Sequence, residues 1–158
     1  MANKSNKNSN QSSHKIPFPL ASLPAVLLPW YDREKRSLPW RDIVTPYRTW
    51  VSEIMLQQTR VQAVLPYFER FMAAAPDVPA LAELAEDRLL SLWQGLGYYS
   101  RARSLQRSAR VMVDQYGGCL PDTYSDLIQL PGIGDYTAGA ILSIAFNKAI
   151  PAVDGNVL

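Results

Sequence analysis

Three side chains in this sequence, Glu53, Tyr136 and Asp154, have a type and a setting suited to chemistry. Asp154 follows the extended apolar run Ala149–Val153 and precedes a glycine. A carboxylate placed this way can stabilise positive charge that develops on a sugar, and it can equally be the N-cap of a following helix. Glu53 is predicted to lie about 100° from the centre of its helix's apolar stripe. Desolvation there would raise its pKa and keep it protonated as a general acid, whereas the alternative is a solvated helix glutamate.

Tyr136 ends the motif Leu130–Tyr136, which reads L-P-G-I-G-D-Y and separates two short predicted helices. Its ring is predicted to face away from the apolar stripe of the second helix, where its hydroxyl could donate to a phosphate, a sugar or a catalytic carboxylate. An ordinary exposed aromatic is the alternative. Gly132 and Gly134 make a tight helix-hairpin-helix connection whose outward amides can bind a DNA phosphate. The alternative is an ordinary corner between helices.

The run Gly95–Arg103 interleaves glycine, aromatic and basic residues in the order G-L-G-Y-Y-S-R-A-R. Such a loop can press a ring between bases while arginines contact phosphates. It is equally compatible with a packed turn followed by a solvated, ion-paired helix face, since Arg103, Arg107 and Arg110 share one side of the helix with Asp114.

The elements that must position these residues are all predicted to be helical. Apolar residues recur at helical spacing and no segment alternates with period two, which predicts an all-α fold. Thr45 is a predicted N-cap followed by proline at the first helical position. Thr123 is a second predicted N-cap, of a short helix whose apolar side is predicted to be Leu127, Ile128 and Leu130. Pro39 predicts a loop over Ser37–Arg41. Helices are predicted over about 23–36, 46–55, 61–74, 80–84, 87–94, 101–116, 121–129 and 134–146.

Composition narrows the class of protein further. The 158 residues are 47% apolar and 19% charged, which is typical of a globular chain with a real core. A net charge of +2 neither requires nor excludes a nucleic-acid partner. The single cysteine, Cys119, rules out an intramolecular disulfide and a cysteine-built metal site within this chain. No apolar run is long enough to span a bilayer, and residues 1–15 are predicted to be a disordered polar tail.

Several motifs in one order resemble a known family. They read W-V-S-E-I-M-L-Q-Q-T-R from Trp50, G-L-G-Y-Y-S-R-A-R from Gly95, L-P-G-I-G-D-Y-T-A-G-A from Leu130, and V-D-G-N-V from Val153, with L-P-W-R from Leu38. Together they resemble the MutY-type adenine DNA glycosylases of the helix-hairpin-helix superfamily. The resemblance implies a six-helix barrel domain with an incomplete second helical domain. It also implies base-excision repair, by hydrolysis of the bond to adenine mispaired with 8-oxoguanine or guanine in duplex DNA.

The resemblance also assigns catalytic roles by position. Glu53 would protonate the adenine ring, and Asp154 would stabilise the oxocarbenium-like sugar or attack it transiently. Tyr136 and Asn156 would support Asp154 and the sugar. This agrees with the chemistry, because departure of a neutral purine needs a proton on the base and negative charge near C1′.

Contacts with DNA follow from the same resemblance. Arg41 would contact the flipped adenine, while Gln58 and Tyr98 would wedge into the duplex near the lesion. Gly132 and Gly134 would bind the DNA backbone. A base inside a duplex must be extruded before an acid can reach it, and the vacated stack needs a plug.

Endonuclease III-type relatives carry a lysine at the position of Tyr136, for Schiff-base lyase chemistry, and lack the glutamate at the position of Glu53. The sequence therefore predicts a monofunctional enzyme with little strand cleavage. Two alternatives stay open: an endonuclease III-like pyrimidine glycosylase and lyase, and a non-catalytic DNA-binding helix-hairpin-helix module.

The resemblance also predicts how the chain is organised. Residues 16–44 would be the N-terminal helix and loop of the incomplete second domain, 45–148 the six-helix barrel with the hairpin at about 123–147, and 149–158 the start of the return. Family members continue with a four-cysteine [4Fe–4S] motif and a domain that reads 8-oxoguanine, so we expect an N-terminal fragment with no cofactor of its own and the cluster ligands beyond residue 158. The expected partner is duplex DNA with A·8-oxoguanine or A·G pairs. The protein is expected to be a monomer, and no association with a membrane is expected. The expected compartment is the bacterial cytoplasm and nucleoid, or else a nucleus or organelle.

Overall fold

The computed structural model describes residues 20–154, and its regular structure is helical throughout that range, which confirms the all-α prediction. The predicted tail 1–15 and the candidate Asn156 lie outside the described residues. Within them, no helix combines the length and the apolar character that crossing a bilayer requires. The α-helices are α1 (Leu23–Glu34), α2 (Pro39–Asp42), α3 (Pro46–Leu56), α4 (Val61–Ala74), α5 (Val78–Glu83), α6 (Glu86–Trp93), α7 (Tyr99–Tyr116), α8 (Tyr124–Leu127) and α9 (Asp135–Ala140).

The chain divides into two compact units, with the boundary between Arg36 and Ser37. In the first unit, a short 3₁₀ turn, Leu20–Ser22, leads into α1. This helix ends where the Lys35 amide donates to the Tyr31 carbonyl at 2.8 Å. The residues of the proposed chemistry that fall in the described range all belong to the second unit.

Helix α3 begins as its sequence predicts. The Thr45 hydroxyl accepts a hydrogen bond from the Arg48 amide at 3.1 Å, and Pro46 occupies the first turn, where its missing N–H costs nothing. The predicted apolar stripe is buried, with Trp50 and Val51 fully enclosed. Cap and stripe together set the rotation of α3 and leave Glu53 at the edge of its buried face.

Removing this cap should destabilise the fold without touching the site. We expect Thr45→Ala to lower the free energy of unfolding by about 1 kcal/mol, because one amide at the helix start loses its acceptor. Thr45→Ser, which keeps the hydroxyl, is the matched control. Urea unfolding of both variants tests the prediction, and an alanine variant as stable as the serine variant would contradict it.

The predicted loop over Ser37–Arg41 holds only for Ser37 and Leu38, because residues Pro39–Asp42 form the short helix α2. Leu38 is extended, with φ −142° and ψ 139°, as the residue before a proline must be. The restriction applies to Leu38 alone, and Pro39 itself is favoured at the start of a helix. Arg48, in α3, links the two helices, because its guanidinium donates a hydrogen bond to the Pro39 carbonyl at 2.8 Å.

Large aromatic and aliphatic side chains fill the core of the second unit. The rings of Trp40 and Phe68 pack edge to face with their centroids 5.1 Å apart, and those of Phe71 and Trp93 do so with centroids 6.1 Å apart. The fully buried side chains include Trp50, Trp93, Phe68, Phe71, Met55, Leu81, Leu89, Leu105, Met112, Leu127, Ile141 and Leu142. Helices α3, α4, α6, α7 and α9 all contribute to this core, so it fixes the positions of the helices that carry the candidate residues.

The hairpin region differs from the prediction at Ile128 and in its second helix, where α9 continues over Ile141–Ala145 as a π-helical turn. Thr123 caps α8 by accepting from the Asp126 amide at 3.3 Å, as predicted. Ile128 was expected on the buried side, but it is 37% exposed. Helix α8 is a single turn whose end tightens, with the Leu130 amide donating to the Leu127 carbonyl at 3.1 Å. At three residues per turn Leu127 and Leu130 share one side, and Ile128 faces outward.

Candidate active site

Glu53 and Tyr136 lie far apart in the sequence, and the fold brings the Tyr136 hydroxyl within hydrogen-bonding reach of the Glu53 carboxylate. Both side chains are half-buried. Burial is the main cause that raises the pKa of Tyr136, and the nearby Glu53 charge adds to it, so the phenol stays neutral. The tyrosine is therefore a hydrogen-bond donor in the site.

The pKa of Glu53 is raised above that of an ordinary glutamate. Burial is the largest cause, since it disfavours the carboxylate. The hydrogen bond from Tyr136 and the charge of Arg41 act in the opposite direction, and the charge of Asp154 raises the pKa again. The net result is a carboxyl group that holds its proton to higher pH, which argues against a fully solvated glutamate.

Asp154 lies close enough to act electrostatically on both partners of this pair. Its negative charge raises the pKa of Glu53 and that of Tyr136, and its side chain is half-buried. The structure thus brings Glu53, Tyr136, Asp154 and Arg41 into one neighbourhood. Asn156 is outside the described residues, and so is any helix that Asp154 could cap.

The chain reaches Asp154 by passing directly over α9 at Gly139. A Cβ atom on Gly139 would lie 2.4 Å from the Pro151 carbonyl oxygen and 3.2 Å from the Ala152 Cα atom. Earlier in the same segment, Lys148 Nζ pairs with Asp122 Oδ2 at 2.9 Å. Gly139 is therefore a positioning residue that none of the sequence motifs singles out. A glycine inside an otherwise regular amphipathic helix was the available signal.

The hairpin turn exposes its backbone in the predicted way. Gly132 has φ +80°, a left-handed conformation, and a Cβ there would lie 2.8 Å from the Ser104 Cβ atom. Gly134 has nothing within 4 Å of an added Cβ, and no side chain caps α9. Among the described residues, no carbonyl accepts from the amide of either glycine. An anion could therefore approach these amides, which favours the phosphate-binding interpretation over an ordinary corner.

Alanine at Gly132 should destabilise the turn for two reasons. Its Cβ is strained in the left-handed backbone, and that Cβ would lie too close to Ser104. We expect Gly132→Ala to lower the free energy of unfolding by about 1–2 kcal/mol and to weaken duplex binding. Gly134→Ala is the matched control for stability, since its backbone is extended and its surroundings are open. Denaturant unfolding and salt-dependent DNA binding measure the two effects. Equal stability of the two variants would contradict the prediction.

Tyr98 and Gln58, the two predicted wedge residues, are both exposed and both have left-handed backbones. Their φ angles are +48° and +56°, which are unusual for residues other than glycine. Tyr98 as a whole is 63% exposed, as insertion of its ring into a duplex would require.

The two arginines of the Gly95–Arg103 run both bind other groups of the protein. Arg101 turns inward and donates to the carbonyls of Ile54 at 2.8 Å and Gln57 at 2.6 Å. Arg103 pairs with Glu86 at 2.9 Å on the surface. The phosphate-contact interpretation is therefore wrong for Arg101, because carbonyls at the end of α3 and those of Leu96 and Gly97 accept from its two Nη atoms. Arg101 instead fits the predicted packed turn, and Arg103 fits the predicted ion-paired helix face.

A bound iron–sulfur cluster is not supported by the described residues. Within residues 20–154, no three His, Cys, Asp or Glu side chains are grouped so that they could hold a metal ion. Cys119 is exposed and free. A single cysteine cannot supply the four thiolates that hold a [4Fe–4S] cluster.

An all-helical fold, a hairpin with open amides and two acidic groups close together define a class of DNA-acting proteins. Residues 51–158 match the model of the HhH-GPD superfamily base excision DNA repair proteins. The chain belongs to this family. Its fold is similar to that of a thermostable thymine-DNA glycosylase, with a TM-score of 0.79 and 27% identity over 86% of this chain and 63% of that one.

More specific relatives are adenine DNA glycosylases. The chain is 45% identical over 133 residues to the one from Buchnera aphidicola subsp. Baizongia pistaciae, covering 84% of this chain and 38% of the relative. It is 50% identical over 141 residues to the one from Mus musculus, covering 84% of this chain and 27% of the relative. The chain thus spans only 38% and 27% of the length of these two relatives. A trapped endonuclease III–DNA covalent intermediate, at TM-score 0.71 and 22% identity over 80% of this chain and 59% of that one, supports the fold alone.

Proposed function

We propose that this protein removes adenine from A·8-oxoguanine and A·G mispairs in duplex DNA, as the first step of base-excision repair. One observation carries the proposal: Glu53 is a half-buried carboxyl with a raised pKa, held by Tyr136 and within the electrostatic reach of Asp154. A proton donor beside a negative charge is what departure of a purine from a sugar requires. The adenine DNA glycosylases among the similar proteins support the choice of base.

The first chemical step is loss of the base. Once adenine has left the stack, protonated Glu53 donates its proton to a ring nitrogen, and the base leaves with the electrons of its bond to C1′. Arg41 contacts the extruded base, and Gln58 and Tyr98 fill the space that it vacates. Adenine departs neutral and Glu53 becomes a carboxylate.

The second step quenches the sugar cation. The Asp154 carboxylate stabilises the oxocarbenium-like C1′, or bonds to it transiently, until water attacks. The water proton passes to Glu53, which restores the acid, and the product is an abasic site. Tyr136 keeps Glu53 oriented throughout by donating its hydroxyl hydrogen bond.

The same site favours a monofunctional reaction. Tyr136 takes the position at which lyase relatives carry a lysine, and a phenol cannot form the Schiff base that strand cleavage requires. The raised pKa of Tyr136 also keeps it from acting as an anionic nucleophile. We therefore propose hydrolysis without strand cleavage, by a monomer on double-stranded DNA.

The test is single-turnover release of adenine by the complete natural protein. We expect fast release from A·8-oxoguanine and A·G duplexes, little from A·T, and no adduct trapped by borohydride. A high-yield adduct together with release of an oxidised pyrimidine would instead establish a glycosylase and lyase. Salt-sensitive duplex binding without turnover would establish a non-catalytic DNA-binding module.

A further inference from the structure

Two loops of the second unit present strained, exposed residues. The α3–α4 loop, Gln57–Arg60, carries Gln58 at φ +56°, and the α6–α7 loop, Gln94–Tyr98, carries Tyr98 at φ +48°. A left-handed backbone costs a residue with a side chain about 1–2 kcal/mol, so such conformations persist only where neighbouring groups enforce them. Something in the fold must therefore hold both loops.

The guanidinium of Arg101, at the start of α7, lies between the two loops and binds both. Its Nη1 donates to Ile54, Met55 and Gln57 carbonyls at 2.8, 3.1 and 2.6 Å. Its Nη2 donates to the Leu96 and Gly97 carbonyls at 3.3 Å each. The first group comprises carbonyls at the C-terminus of α3, which have no partner within the helix and carry its negative dipole end.

The same guanidinium also links an exposed ring to the core. Its carbon lies 5.6 Å from the ring centroid of Tyr98 and 5.5 Å from that of Trp93. Trp93 is fully buried, and its indole N–H donates to the Gly97 carbonyl at 3.1 Å. The Tyr98 ring is thereby linked, through one cation, to the buried core.

We propose that Arg101 is a positioning residue that presents Gln58 and Tyr98 together to the duplex when the target base is extruded. It acts through these two side chains and does not itself contact DNA. The inference rests on the proposed function, since the two residues enter the duplex only if a base leaves it. A lysine could not replace the arginine, because one ammonium cannot bind carbonyls of both loops and stack on two rings.

The test compares substrates that do and do not need extrusion, using Arg101→Lys and Arg101→Gln in the complete natural protein. We expect release of adenine from an A·8-oxoguanine duplex to slow at least tenfold. Release of an adenine left unpaired in a single strand should slow less than about threefold. Arg110→Lys, an exposed arginine on the same helix, is the matched control. Equal slowing on both substrates would overturn the proposal, because a merely structural role does not distinguish them.

Two further measurements separate this inference from the proposed function. Fluorescence of 2-aminopurine at the target position reports extrusion without any turnover, and we expect its amplitude to fall in both Arg101 variants. If the protein without substitutions extrudes the base but releases no adenine, the proposed function fails while the inference about Arg101 stands. In a Gln58→Ala, Tyr98→Ala background, Arg101→Lys should have little additional effect on extrusion. A full additional effect would show that Arg101 acts by another route.

Discussion

Replacement of Glu53 by glutamine should slow single-turnover release of adenine from an A·8-oxoguanine duplex by about a hundredfold or more. The amide has nearly the same shape but no acidic proton, and general-acid catalysis typically contributes about 10²–10⁴-fold. Duplex affinity should change little, because Glu53 is proposed to act in bond breaking. Glu69→Gln, on the exposed surface of α4, is the matched control. An unchanged rate in Glu53→Gln would remove the proposed acid.

The same residue should set the pH dependence of the rate. Burial raises the pKa of Glu53, so the reactive protonated form persists to higher pH, and the rate should fall as pH rises through that pKa. The hydrogen bond from Tyr136 lowers the pKa of Glu53. Tyr136→Phe should therefore move the falling limb to higher pH. A limb that moved to lower pH, or stayed in place, would contradict this assignment of Glu53.

Replacement of Asp154 by asparagine should slow the same reaction by about 10²–10³-fold. The change removes the negative charge that stabilises the sugar cation, and loss of one such group typically has an effect of this size. Duplex binding should be retained or strengthened, since a negative charge near phosphates is removed. Asp114→Asn, on the exposed surface of α7, is the matched control.

Asp154→Asn should also shift the pH dependence of the rate, in the direction opposite to the shift expected for Tyr136→Phe. The charge of Asp154 raises the pKa of Glu53, so Asp154→Asn should shift the falling limb of the pH–rate profile to lower pH. Pre-steady-state rates measured across the pH range for both variants test the pair of shifts. Shifts in the same direction would mean that Glu53 and Asp154 do not share one site.

The helix boundaries were largely predictable because their signals are local. A cap such as Thr45 or Thr123 is recognised from a few residues, and the amide that it binds lies three positions along the chain. Two errors came from short elements. The sequence predicts a loop at Pro39, which instead begins a helical turn, and it predicts Ile128 on the apolar side of α8, which ends before that residue.

The candidate acids were also predictable, but their relation to each other was not. Residue type, neighbours and family resemblance single out Glu53, Tyr136 and Asp154. No local pattern states that α3, α9 and the extended segment before Asp154 meet. That meeting depends on the packing of the shared core and on Gly139, whose missing side chain admits the Pro151 carbonyl.

The sequence by itself determined the helical class, the places where most helices begin, and which side chains could perform acid catalysis, since short-range rules of capping, periodicity and side-chain chemistry govern these. Only the tertiary structure decided how Arg101 is used. Its run of glycines, aromatics and arginines suited either a phosphate or a packed turn, and the carbonyl ends of α3 and of the α6–α7 loop took all of its observed hydrogen bonds. The pKa of Glu53 was decided in the same way, because desolvation and neighbouring charge depend on residues brought together by long-range packing.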